Sequence, residues 1–376
     1  MAVDDRPSEA YQLLSQSPPR TLDPTKNAYF LLQGFGVKQE EDPIRAGYRM
    51  WQAFRTQRQD HNNWQFDYDT KSLSELQLPK ELDVRTDWIQ EDDAIERFRS
   101  GRDRLRSWSD EHAVLLRRYE MFLGMPFEEW VDHHVLFPYP NFSYPFIAHR
   151  LYIAGGFLGE IGDGLDRLER DLAAWRRVLA NARTVLTKVI AARIVSEDLQ
   201  LVQSLRRHES EERRLSRLGR LVQPLTPRER SMRLPFQTEF LTTASLWRSI
   251  HDSKEEVDEA ELEFLWKLAK VLAKENPDTH TDPDRLRTAT IIVPFQIQKT
   301  LNTLARYYEA LVEAADSSNS TLPSAEAYGM RPPKSSYDFL FNPVGKMLQG
   351  AHGAPRWEAF VKEIRKADAH LRAASL

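Results

Sequence analysis

The sequence predicts an all-α protein, an irregular helical array with tetratricopeptide-like helix pairs and a loop-rich N-terminal segment. Three observations predict it. Apolar residues recur at helical spacing through most of the 376-residue chain. Helix-start signals stand ahead of those stretches. Few segments alternate with period two, and none forms a convincing run of strands.

Residues 1–86 form the loop-rich segment, with one helix. Gln16 to Asn27 is proline-stiffened and extended. Asp42 is placed to cap, Pro43 suits the first helical position, and Tyr48, Met50, Trp51 and Phe54 give that helix an apolar face. Residues 87–315 form the main helical domain. Trp88, Ile95, Phe98, Leu105 and Trp108 recur at helical spacing, and Ala113 to Phe122 and Pro126 to His134 read as two short helices. His149 to Ile161 reads as one helix, Gly162 to Gly164 as a turn, and Leu165, Leu168, Leu172, Trp175, Val178 and Leu179 mark the next. Thr184 to Arg207 follows as a long third helix, with Leu186, Val189, Ile190, Ile194, Leu201 and Leu205 inward. Helix, glycine turn, helix is the outline of a tetratricopeptide unit, although no period of about 34 residues repeats. Thr226, Pro227 and Glu229 make a capping box for a helix that should reach about Ile250. Val257 to Ala273 and Pro294 to Ala315 are further helices. Residues 316–376 form a long loop and a helix from Pro355, which packs back on the main domain through Trp357, Phe360, Val361 and Ile364.

Composition narrows the chemistry. The chain has no cysteine, which excludes disulfides, thiol nucleophiles and thiolate metal sites. A net charge of −4 argues against nucleic acid as an obligate partner. No stretch approaches the roughly 20 apolar residues of a spanning helix. The acidic, polar first residues do not read as a signal peptide. The G-x-S-x-G elbow, the Walker loop and a dinucleotide fingerprint in a strand–helix setting are missing. No catalytic residue and no cofactor are expected.

Three features remain as candidate sites. In His133 to Phe146, adjacent His133 and His134 diverge on any helix and cannot share a metal, though Glu129 and His133 have i,i+4 spacing. Pro138, Pro140 and Pro145 then forbid helix and make a stiff elbow. Phe137, Tyr139, Phe142 and Tyr144 either dock that elbow or form an aromatic rim for a partner. The second feature is charge. Arg206, Arg207, Arg213, Arg214 and Arg217 cluster in an arginine-rich stretch, and acids dominate from Asp252 to Glu263. The pattern suits a neutralised helix pair, a docking surface for another protein, or a basic face near anionic lipid. The third is His251–Asp252, a doublet like that of HD-type phosphohydrolases, for which His208 and Asp316 are possible further metal ligands. The doublet also suits a plain helix end.

"NAYFLLQGFGV", "EDP" with Gly47, "FNPVGKMLQ" and "DLAAWRRVLANARTVLTKVIAARIVSEDLQLV" together resemble a loose family of uncharacterised bacterial envelope proteins. Members often begin with one membrane anchor, which is not read here. The resemblance implies an envelope or periplasmic location, with the cytoplasm as alternative, and assigns no residue a role. The expected function is a non-enzymatic helical protein that binds another protein, as an adaptor, secretion accessory or toxin-neutralising immunity protein. The alternatives are a metal-dependent HD-like phosphohydrolase and a lipid- or small-ligand-binding helical protein.

Overall fold

The structure, a computed structural model, describes residues 4–59, 80–82, 94–134, 137–252, 295–317, 320–330, 342, 344–346, 348–349 and 357–375. It is all-α, with no strand among the described residues. The chain divides into two compact units. Unit 1 comprises Met1–Pro18, His133–Val135 and Ser231–Glu363, and unit 2 comprises Pro19–Asp132, Leu136–Arg230 and Ile364–Leu376.

Unit 2 is built on helices α6 (Ala113–Leu123), α7 (Ser143–Gly156), α8 (Ile161–Asn181) and α9 (Val185–His208), each packed on the next in sequence. Helix α7 is buried almost all round, from Pro145 to Ala154 without interruption, and so forms the centre of the unit. Helices α4 (Ala94–Ser100) and α5 (Arg102–Glu111) cover α7, α10 (Glu212–Leu221) lies on α9, and α11 (Pro227–Arg230) lies on α8. No repeat relates these pairs, so the tetratricopeptide-like pairing is not confirmed.

Helices α2 (Ala28–Gln33) and α3 (Pro43–Gln59) form a close pair. A Cβ on Gly34 would lie 2.0 Å from the Pro43 carbonyl oxygen, and one on Gly47 would lie 2.0 Å from that of Phe30. Glycine at both positions lets the two backbones touch. Asp42 caps α3 as expected, its carboxylate accepting from the Ile44 and Arg45 N–H groups.

Unit 1 packs α1 (Glu9–Leu14), α12 (Arg233–Asp252) and α13 (Ile297–Asp316) together. Its core is aromatic. Phe236 stacks on Tyr308 with centroids 5.2 Å apart, and Trp357, in the first turn of α14 (Trp357–Ser375), meets both edge-on.

Several local expectations are corrected. Pro126 to His134 is not helical, because its groups make tertiary bonds instead. The Pro126 carbonyl accepts from Ala28 N–H, and the Glu128 backbone pairs with both ends of the Asn27 amide. Pro145 does not forbid helix. It is the third residue of α7, where a missing N–H costs nothing. Gly162 to Gly164 is the first turn of α8 rather than a loop, and Gly164 is required because a Cβ would strike the Phe157 ring at 2.3 Å. Leu186 is exposed. The predicted helix from Pro227 is broken at Ser231–Met232 into α11 and α12, although its capping box forms as expected, with Glu229 N–H donating to Thr226 Oγ1 and Thr226 N–H to Glu229 Oε2. Val257 to Ala273 lies outside the described residues.

Candidate functional site

The described residues singled out by sequence have different surroundings. Phe137 and Phe142 are buried in the core, with Phe137 edge-on to Phe54. Tyr144 is half-buried against Gly36, and only Tyr139, 42% exposed, is offered to solvent. An aromatic rim made of all four therefore does not exist, because the elbow docks through its phenylalanines. His133 and His134 are half-buried and, outside any helix, lack the i,i+4 relation to Glu129. Glu129 is instead fully buried 55 residues before its partner, accepting from Thr184 N–H at 2.9 Å and Oγ1 at 2.8 Å.

The arginines have different surroundings. Arg217 holds Asp166 at 2.5 Å and Glu169 at 2.7 Å, and Arg214 holds Glu209 and Glu211. Arg206 and Arg207 lie in the last turn of α9, where positive charge complements the helix dipole. Arg213 is exposed on α10. Beyond Asp252, the acid-rich stretch lies outside the described residues. His251 bonds to its neighbour Asp252 (2.9 Å) in the last turn of α12, beside the Phe295 ring. No third histidine or carboxylate joins this doublet among the described residues, and His208 is an exposed residue ending α9 in unit 2.

One histidine–carboxylate group does assemble, at residues that no sequence motif marks. Helices α6, α7, α8 and α9 each send one polar side chain into the centre of unit 2: Tyr119, His149, Asp171 and Asp198, all fully buried. Trp175 Nε1 donates to Tyr119 Oη (2.6 Å), and Tyr119 Oη donates to Asp171 Oδ1 (2.5 Å). His149 Nδ1 lies 3.0 Å from Asp171 Oδ2, within reach for an Nδ1–H to donate there. Asp171 is thereby satisfied at both oxygens.

The far side of the imidazole is different. His149 Nε2 has no hydrogen-bond partner, standing 4.0 Å from Asp198 Oδ1 and 3.9 Å from Glu197 Oε2. Neither Asp198 oxygen is paired. Asp171 lies close enough to act on the Asp198 carboxyl, yet no bond of normal geometry joins the two. Burial, reinforced by the charges of Asp171 and Glu197, pushes the Asp198 carboxyl well above the usual aspartate range. Burial, then Asp171, raises the Tyr119 hydroxyl in the same way and keeps it a donor. Glu197 is neutralised by Arg150, which grips it with Nε (3.1 Å) and Nη2 (2.7 Å), and by Arg193 (3.1 Å). The Arg150 guanidinium also lies 4.6 Å from the centre of the Phe146 ring.

The signal for this group was present in the sequence. Asp171 falls within the Leu168–Leu172–Trp175 stripe of α8, and Asp198 lies between Ile194 and Val202 on the inward face of α9. A polar residue on an apolar stripe marks a buried polar contact. Compared with known protein families, curated proteins and solved structures, the chain matches none.

Proposed function

We propose that this is a non-enzymatic, all-helical recognition protein, an adaptor, secretion accessory or immunity protein that binds an acidic face of another protein. The observation that carries this reading is the outer face of α10. Arg213 and Arg220 are seven residues apart, about two turns, and so share one side of the helix. Both are exposed, and neither has an ion-pair partner among the described residues. Arg214 and Arg217 are committed to acids of their own unit and fix the helix that presents the other two. A guanidinium held on a rigid helix loses little freedom on binding, and its planar fork suits carboxylates. Tyr139 supplies an exposed aromatic in the same unit.

No helix among the described residues is long and apolar enough to cross a membrane. The envelope location implied by the resemblance belongs to this proposal. Affinity capture from the producing cells, with wild-type protein and with an Arg213→Glu, Arg220→Glu double variant, tests it. A stoichiometric protein should be retained at low salt, released as salt rises, and lost with the double variant. Recovery of no stoichiometric protein, or equal recovery by the double variant, overturns the reading.

A further inference from the structure

We infer that His149, Asp171 and Asp198 form a binding site for one divalent metal ion of the manganese, iron or zinc class, which clamps α7, α8 and α9 at the centre of unit 2. The inference is independent of the recognition surface on α10.

The first ground is convergence. One donor atom from each of the three side chains lies within 4.8 Å of the others, and each comes from a different helix. Two metal–ligand bonds of about 2.0–2.2 Å reach across at most about 4.4 Å, so an ion would draw the donors in by a few tenths of an ångström. The second ground is the pair of unanswered oxygens. Both Asp198 oxygens are fully buried and have no hydrogen-bond partner, beside a second buried aspartate, Asp171. Buried polar atoms without partners are rare, and a cation is a partner that suits two facing carboxylates.

The third ground is the shell behind the donors. Asp171 Oδ2 lies 3.0 Å from His149 Nδ1, so an ion held by these two atoms takes the place of the proton between them. Asp171 Oδ1 is held in turn by Tyr119, and Tyr119 by Trp175. Glu197 stands near Nε2 but is already neutralised by Arg150 and Arg193. The remaining negative charge is that of the two aspartates, which a dication balances. One nitrogen and two carboxylates, without a thiolate, suit a borderline or hard dication. All three side chains are closed to solvent, which suits an ion that ties the helices together.

The test uses the full chain. Protein stripped with a chelator is reloaded with manganese or zinc, freed of excess, and measured for metal content and melting temperature. The expected result is about one ion per chain and a melting temperature that rises with metal concentration. Asp198→Asn, which keeps shape but loses the anionic donor, should abolish that binding with helix content unchanged. Tyr119→Phe should weaken it about 10-fold, through loss of support to Asp171. If Asp198→Asn does not fold, pulsed electron paramagnetic resonance of manganese-loaded wild type decides, since the site requires one directly bound imidazole nitrogen. Stripped protein that takes up neither metal overturns the inference. So does uptake unaffected by Asp198→Asn, or a bound ion without an imidazole nitrogen.

Discussion

Helix α9 touches two buried acids, and they live in opposite circumstances. At its N-terminus, Glu129 collects four donors: the Arg183 and Thr184 N–H groups and the Thr184 and Thr187 hydroxyls, at 2.5 to 2.9 Å. Three turns further on, Asp198 is equally buried and collects none. Burial pushes both carboxyls up. For Glu129 the hydrogen bonds oppose the push, whereas for Asp198 the neighbouring Asp171 and Glu197 add to it. A buried carboxylate surrounded by donors is part of the scaffold, because the scaffold supplies its solvation. One without donors favours the protonated form, and is where the ion inferred above would bind.

The comparison breaks most sharply at Glu129. Glu129→Ala leaves two N–H groups and two hydroxyls buried without an acceptor, and should cost about 3–5 kcal/mol in denaturant-monitored unfolding. A loss below about 1 kcal/mol would show that this cap is incidental.

Acid sharpens the comparison next. Burial pushes Glu128 up, but donors from Leu22, Thr21, Trp130 and Arg183 outweigh it and hold the carboxyl below the ordinary 4.5. A carboxyl depressed in the folded state supports folding fully above its unfolded value, and that support is lost as pH falls through the folded one. Glu129, raised in the folded state, has the opposite sign: its contribution is present below 4.5 and fades as pH rises through its folded value. Melting curves across the acid range should therefore fall less steeply below pH 4.5 in Glu128→Gln than in wild type. Limbs of equal slope would contradict this assignment.

The smallest effect should come from Asp198 in metal-free protein. Burial pushes its carboxyl toward the protonated form there and it makes no normal hydrogen bond, so Asp198→Asn should change stability by less than about 1 kcal/mol. A loss as large as that of Glu129→Ala would mean that Asp198 belongs to the scaffold after all.

The fold was more legible than the site. Helix spacing and local caps carry the all-α class, and Asp42–Pro43 and Thr226–Pro227–Glu229 make the bonds their order implies. These signals are local, spanning one turn. The misread stretches were governed by distant partners. Pro126 to His134 has helical spacing, yet Asn27, a hundred residues away, takes its backbone groups. Runs of charge and aromatics stand out in the sequence, while Asp171 and Asp198 stand alone among leucines and isoleucines. The neighbouring positions give that isolation away. The angle at which four helices bring four side chains together is not written in any one of them.

The Glu129–Thr184 bond also bears on the order of folding. It closes a loop 55 residues long, whereas each turn of α7 and α8 inside that loop closes over a few. The entropy of closure is offset only once the intervening helices have shortened the path. The cap should therefore be set late. Substitutions at Glu129 should speed unfolding and leave the refolding rate almost unchanged, making this acid a latch fastened after the bundle has gathered.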